Sequence, residues 1–342
     1  MSQQTNMHRE IRQIPDAVED LLTNGAQHVR DAAKALAECD PSVVISVARG
    51  SSDHAATYFK YASELVAGVP VASVGPSIAS IYGHKLRLAQ SACLSISQSG
   101  KSPDIVAMAD MAARQGALSL ALTNHTDSDL AKVSSHTLNL HAGVEQSVAA
   151  TKTYVNSAVS AVWLLAEWQK DVDLVAAIHD LPQVLENAVT QDWGALTKVM
   201  ATKNSLFCLG RGPSLAISNE TALKFKETCQ IHAESYSSAE VMHGPVSIVQ
   251  SGFPVMALTA ADNVESSVVE ISDAIAAKGA TVFVTSDKAE RSTRLPVART
   301  GHPLTDPVSL IVSLYAMVEQ ISRMRGIDPD KPRHLQKVTE TV

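Results

Sequence analysis

The chain has 342 residues, 45% of them apolar and 18% charged, with a formal net charge of −7. That balance belongs to a globular chain, long enough for two domains or for one large domain in two halves, and the negative charge argues against general nucleic-acid binding. No basic region leads into an apolar run at the N-terminus, no apolar stretch is long enough to span a bilayer, and the four cysteines form no Cys-x-x-Cys pair. A cytoplasmic protein is expected, with no zinc site, no disulfide framework and no cofactor.

In chain order, Pro15 with Asp16, Glu19 and Asp20 predicts a helix running to about Glu38, with acids at its positive end. Val43–Val47 reads as a strand covered on both faces. Further strands are expected at Val69–Val74, Ala92–Ile96, Leu118–Leu122 and Thr137–Leu140, with helical patterns between most of them. Thr151–Trp168 reads as an amphipathic helix closing the first half. Asp173–Thr202, helical, polar on one face and containing Pro182, reads as the link between halves. The second half repeats the scheme, with strands at Ser205–Leu209, Pro254–Leu258 and Thr281–Val284 and helices near Ser214–Thr228, Asn263–Lys278 and Pro307–Arg325. Asp328–Val342 is polar and reads as an extended tail. Alternating strands and helices predict a doubly wound α/β fold, divided as an N-terminal helical segment 1–34, subdomains 35–172 and 173–327, and the tail 328–342.

Two stretches 162 residues apart begin alike: a strand, then Arg49-Gly50-Ser51-Ser52 or Arg211-Gly212-Pro213-Ser214, then a helix. Gly116 before Leu118–Asn124 is answered by Gly279 before Thr281–Asp287. A duplicated strand–turn–helix unit means two copies of one α/β layer, with ligands expected where strand ends meet helix starts. Ser97-Gln98-Ser99-Gly100-Lys101-Ser102 occupies such a place, between the strand ending at Ile96 and a helix from about Pro103. Ser hydroxyls and free helix N–H groups make an anion cradle, and Gly100 permits the tight turn. A Ser-rich cap serving only its own helix is the bland alternative. The second hydroxyl-rich turn at Gly50-Ser51-Ser52 favours a phosphate.

A second cluster runs from Leu223-Lys224-Phe225-Lys226-Glu227 through Ile231-His232-Ala233-Glu234 to His243-Gly244-Pro245. A carboxylate beside a lysine can act as a general base, and a histidine can exchange protons near neutral pH. Apolar Ile231, Val241, Met242, Ile248 and Val249 suggest that the cluster lies against a core. Asn219 and Glu220 are expected on the helix surface. His125, His136 and His141 show no metal-ligand spacing. Dinucleotide, P-loop and nucleophile-elbow fingerprints are absent.

Taken together with Ala149-Ala150-Thr151-Lys152 and Pro332-Arg333, these motifs resemble the sugar isomerase (SIS) family over nearly the whole chain. The likeness is greatest to the isomerase half of glutamine-dependent glucosamine-6-phosphate synthase. It implies two tandem SIS subdomains, each a flavodoxin-like three-layer α/β/α unit with a parallel sheet. The phosphate would be held by Ser97, Gln98, Ser99 and Ser102, with Ser51, Ser52 and the Val148 backbone lining the sugar. Glu227 matches the base that moves a proton between C1 and C2, with Lys224 beside it. His243 matches the residue that assists ring opening from a neighbouring subunit, which implies a homodimer. Lys337 matches the lysine that meets the open-chain sugar.

Two departures stand out: Lys101 occupies an acidic position of the synthase loop, and Gln336 a small-residue position before the tail lysine. The polar leader is too short for a glutaminase domain, so the resemblance points to the stand-alone SIS-type glucosamine-6-phosphate deaminases, producing fructose 6-phosphate and ammonia. Two alternatives stay open: a deaminase or deglycase for a galactosamine- or fructosamine-type 6-phosphate, and a sugar-phosphate-sensing module. The second would need neither Glu227 nor His243.

Overall fold

A computed structural model describes residues 4–337. Positions 1–3, and residues 338–342 of the expected tail, lie outside the described residues. β1 (Val43–Val47), β2 (Val71–Ser73), β3 (Ser91–Ile96), β4 (Leu118–Thr123) and β5 (His136–Asn139) form a parallel sheet ordered β2-β1-β3-β4-β5. β6 (Ser205–Gly210), β7 (His232–Ser237), β8 (Pro254–Ala257), β9 (Thr281–Val284) and β10 (Thr293–Arg294) form a second parallel sheet ordered β10-β9-β8-β6-β7. Counted from its other edge, the second order repeats the first strand for strand. Both are the flavodoxin-like arrangement, in which the connections reverse direction between the first and third strands. The repeat legible in the sequence is thus a repeat of topology.

The chain divides into two compact units. One holds the first sheet and comprises Asp16–Glu145, Lys152–His179 and, among the described residues, Gln336 and Lys337. The other holds the second sheet and comprises the residues up to Pro15, Gln146–Thr151 and Asp180–Leu335.

In the first unit, Ile45, Val47, Cys93 and Ala121 form a core with Ile105, Met108 and Ala109 of helix Pro103–Arg114. The intervening strand residues Val44, Leu94 and Leu122 are buried too, and helices Ala26–Cys39, Ser51–Val66 and Lys152–Gln169 contact the sheet. Burial on both faces explains the unbroken apolar strands. In the second unit, Leu209, Val255, Ala257 and Val282 pack with Val268 and Ile275 of helix Glu265–Ala276. Helix Pro213–Cys229 packs against β6, β7 and helix Asp306–Met324.

Several expectations are corrected. The single helix from Pro15 to Glu38 is two, Ile14–Asn24 and Ala26–Cys39, preceded by Asn6–Arg12. The break falls at Gly25, where a Cβ would lie 2.7 Å from the Leu21 carbonyl oxygen. Helix Lys152–Gln169 is not amphipathic: of its 18 residues all but Glu167 and Gln169 are buried. Its Asn156 side-chain amide is satisfied inside, donating to Ala17 O at 2.8 Å and Leu140 O at 2.7 Å. Asp173–Thr202 is helical as expected, divided into three helices, Val172–His179, Leu181–Ala188 and Gly194–Met200, each with buried residues.

β7 was not expected as a strand. Its sequence, His-Ala-Glu-Ser-Tyr-Ser, has no β-branched residue, yet it pairs fully with β6, from Ser205 opposite His232 to Gly210 opposite Ser237. Pairing at the sheet edge overrides local propensity there. Nearby, Ile231 and Val241 are buried as expected, whereas Ile248 is exposed.

Candidate functional site

In the first unit the two hydroxyl-rich turns follow β1 and β3, adjacent strands on either side of the reversal point. Open α/β sheets bind ligands at this place. After β1, Gly50 adopts φ +55° and caps helix Ser51–Val66, its carbonyl accepting the N–H groups of Asp53 at 3.0 Å and His54 at 3.2 Å. Ser51 and Ser52 occupy the first turn and are half-buried. Burial raises the Asp53 carboxyl above its ordinary value, while His54 and Arg49 pull it down.

After β3 the loop folds on itself. Ser97 Oγ accepts the Gly100 N–H at 3.2 Å and Ser99 Oγ accepts the Lys101 N–H at 3.3 Å. Asn124 N–H and the Thr123 hydroxyl both donate to the Gln98 carbonyl, at 3.1 and 3.3 Å. Gly100 has φ +62°, and a Cβ there would sit 2.1 Å from Ser128 Oγ. Only glycine fits this position. Ser102 is the N-cap of helix Pro103–Arg114, yet its side chain makes no capping bond. Its hydroxyl is therefore not used by its own helix. Lys101 is exposed. Gln98 lines a cavity of about 510 Å³ with Asn124, His125, His141 and Glu145. Lys337 donates to Glu145 at 2.8 Å, and Glu145 also accepts from the Thr153 hydroxyl at 2.6 Å.

In the second unit, helix Pro213–Cys229 places Glu220, Lys224 and Glu227 on one face, at spacings of four and three residues. Lys224 Nζ lies 3.3 Å from Glu220 Oε1 and bonds Glu227 Oε2. The Tyr315 hydroxyl donates to Glu220 at 3.2 Å. The Lys224 and Glu220 side chains are fully buried, while that of Glu227 is 21% exposed. Burial alone would lower the Lys224 pKa, but Glu220 and Glu227 outweigh it and hold the ammonium above its ordinary value. A buried cation thus fixes one carboxylate that can be reached from outside. The expectation that Glu220 lies on the helix surface is overturned: its i, i+4 relation to Lys224 was the signal available, and the Tyr315 hydroxyl that bonds it lies too far along the chain to be read from it.

Val148, half-buried, lies on the short segment Gln146–Thr151. That segment is fastened by carboxylates not singled out in the sequence. Glu10 accepts the N–H groups of Gln146 and Ser147, and Asp330 accepts the Ser147 hydroxyl at 3.4 Å together with the N–H groups of Asn6 and Met7 at 2.6 and 2.8 Å. His243 ends the 3-10 turn Glu240–His243 and is exposed. Among the described residues no group of three or more His, Cys, Asp or Glu side chains could hold a metal, and no helix is long and apolar enough to cross a membrane.

Comparison with known proteins gives the same frame. A protein from Thermococcus kodakarensis, glutamine–fructose-6-phosphate aminotransferase (isomerizing), is 31% identical over 347 residues, covering 97% of this chain and 57% of its own length. The chain thus spans a little over half of that relative. A solved structure of a candidate phosphosugar isomerase from Silicibacter pomeroyi DSS-3 is 58% identical, with a TM-score of 0.93, covering 95% of this chain and all of that one. A glucosamine-6-phosphate deaminase from Thermotoga maritima shares the fold, with a TM-score of 0.77 at 20% identity, covering 98% of this chain and 100% of its own. The SIS domain pattern matches residues 38–167 and 199–321, on the two sheets in turn, and the chain belongs to the SIS domain family.

Proposed function

We propose that the protein is an aminosugar-phosphate deaminase that converts glucosamine 6-phosphate and water to fructose 6-phosphate and ammonia. The observation that carries this reading is the Glu227 carboxylate, bonded to fully buried Lys224 and itself partly exposed. A base for carbon acids has to be fixed in direction and open to substrate, and a partly exposed carboxylate tethered to a buried ammonium supports that reading.

The roles follow from the chemistry. Ser97, Gln98, Ser99 and Ser102 take the phosphate, with Ser51, Ser52 and the Val148 backbone against the sugar. Anchoring one end of the substrate orients its reacting carbons. His243, supplied by a second subunit of a homodimer, assists opening of the pyranose. Glu227 takes the proton from C2 and returns it to C1 while a proton leaves the amine nitrogen and one is gained at O1, so the C1 aldehyde with a C2 amine becomes a C1 alcohol with a C2 imine. Water adds to the imine carbon and ammonia leaves, giving the ketose. Lys224 positions Glu227, and Lys337 releases Glu145 to meet the open chain. No cofactor is required, because proton transfer and hydrolysis change no net oxidation state.

The experiment is an ammonia-release assay on glucosamine, galactosamine and fructosamine 6-phosphates, with fructose 6-phosphate measured in parallel. Equal amounts of ammonia and fructose 6-phosphate from glucosamine 6-phosphate are expected. Release from another sugar alone would move the substrate assignment, and no ammonia from any of them would end the deaminase reading.

A further inference from the structure

Arg49 follows β1, and Asp104 stands in the first turn of the helix that follows β3. Asp104 is fully buried. One of its oxygens accepts the Ile105 N–H at 2.9 Å, and the other accepts Arg49 Nε at 2.5 Å together with a terminal guanidinium nitrogen. The guanidinium is thereby held at the N-terminal end of helix Pro103–Arg114, beside Ser102. Its side chain is 50% exposed, and its other terminal nitrogen has no partner among the described residues.

A buried carboxylate in the first turn of this helix opposes any anion brought to the same turn. Like charges brought close together near a protein surface repel. The hydroxyls and backbone N–H groups of the cradle carry no full positive charge, and Lys101 is exposed, so Arg49 is the cation held in place at this turn. Ser97 adds an independent sign of an absent acceptor. It is 7% exposed and its oxygen accepts the Gly100 N–H, while its own proton has no acceptor among the described residues. Buried hydroxyls rarely leave that proton unused.

We propose that Arg49 is a binding residue for the phosphate of the substrate, clamped flat by Asp104 so that its free N–H groups face the dianion beside the Ser97–Ser102 loop. The inference rests on the phosphate reading of that loop. Arginine suits the task, because one edge of its fork can pair with a carboxylate while the other serves a phosphate. Asp104 is then a positioning residue, since it acts only through Arg49.

The test measures inorganic phosphate binding by calorimetry on the full chain. Arg49→Met alone leaves a buried charge unpaired and risks misfolding, so the decisive variant is Arg49→Met with Asp104→Asn. Phosphate affinity should fall at least tenfold while the melting temperature stays within a few degrees of wild type. Asp104→Asn alone should weaken phosphate binding less than the double variant does, because Arg49 loses its clamp but keeps its charge, and Arg49→Lys should fall between wild type and the double variant. If the double variant binds as wild type does, Arg49 merely neutralises Asp104 and the inference is overturned. Should the double variant not fold, Arg49→Lys binding as tightly as wild type would overturn it. A Ser99→Ala/Ser102→Ala pair with unchanged phosphate affinity would instead remove the loop reading itself.

Discussion

Glu10 reaches the Ser147 backbone N–H at 3.2 Å from a side chain that is 2% exposed. The same carboxylate bonds the N–H of Gln146, so a helix starting at Asn6 fixes the segment that carries Val148. Glu10→Ala should leave two backbone donors without their charged acceptor, at a cost of about 2 kcal/mol. If Val148 lines the sugar, KM for the sugar phosphate should rise about five- to tenfold with a smaller change in kcat. Steady-state kinetics beside a thermal melt would separate the two effects, and an unchanged KM would remove Val148 from the binding site.

Glu227→Gln keeps the size and one acceptor oxygen of the side chain but abolishes the base. Turnover should fall by about two to four orders of magnitude. Substrate affinity, measured by calorimetry, should stay within a few-fold of wild type. A variant that releases ammonia at near the normal rate would assign the proton transfer elsewhere.

Lys224→Met should be among the most destabilising single changes in the second unit. It strands the fully buried Glu220 carboxylate, a defect worth about 3–5 kcal/mol. Adding Glu220→Gln should restore much of the loss without restoring activity. Chemical denaturation of the single and double variants reads the recovery.

Gly100→Ala combines a strained φ of +62° with a clash against Ser128. A loss of about 1–3 kcal/mol is expected from the backbone alone. Phosphate binding should fall with it, because the loop that offers Ser97 and Ser99 has to open. Thermal melts with and without phosphate measure both effects.

Three thiols are sealed. Burial pushes Cys93 up to about 11 and Cys229 up to about 12, and burial also raises Cys208. At pH 8 a thiol reagent should label only Cys39 in the native chain, and slowly, since burial and Asp40 raise it too. A group with its folded pKa above the unfolded value stabilises below the unfolded pKa and loses that contribution as pH climbs through the folded one. Stability should therefore fall from about pH 9 up to about pH 12 through Cys93 and Cys229. Lys224, also raised, adds loss in the same direction above about pH 10.4. Denaturation midpoints across that range would test the slope.

Much of the architecture was legible. Fully buried parallel strands announce themselves as apolar runs, so β1, β3, β4, β6, β8 and β9 stood out, and the spacing of Arg-Gly turns gave away the repeat. β7 did not, because its polar residues resemble a catalytic loop and only the register with β6 makes them a strand. The loop at Ser97–Ser102 and the ion pair at Lys224 and Glu227 were readable as local clusters. Their supports were not. Glu10 lies 137 residues from Ser147, and Asp104 lies 55 from Arg49. Contacts at such separations leave no trace in local spacing.

Chain connectivity carries a consequence for how this protein matures. The backbone changes body at 15/16, 145/146, 151/152, 179/180 and 335/336. Cutting the gene between its two sequence repeats would therefore strand the Asn6–Arg12 helix and residues 146–151 on the wrong fragment. The second body incorporates residues 146–151, which are made in the middle of the first, so neither body is one continuous block of chain. Split halves should accumulate as insoluble polypeptide when expressed singly, and regain native solubility when produced together.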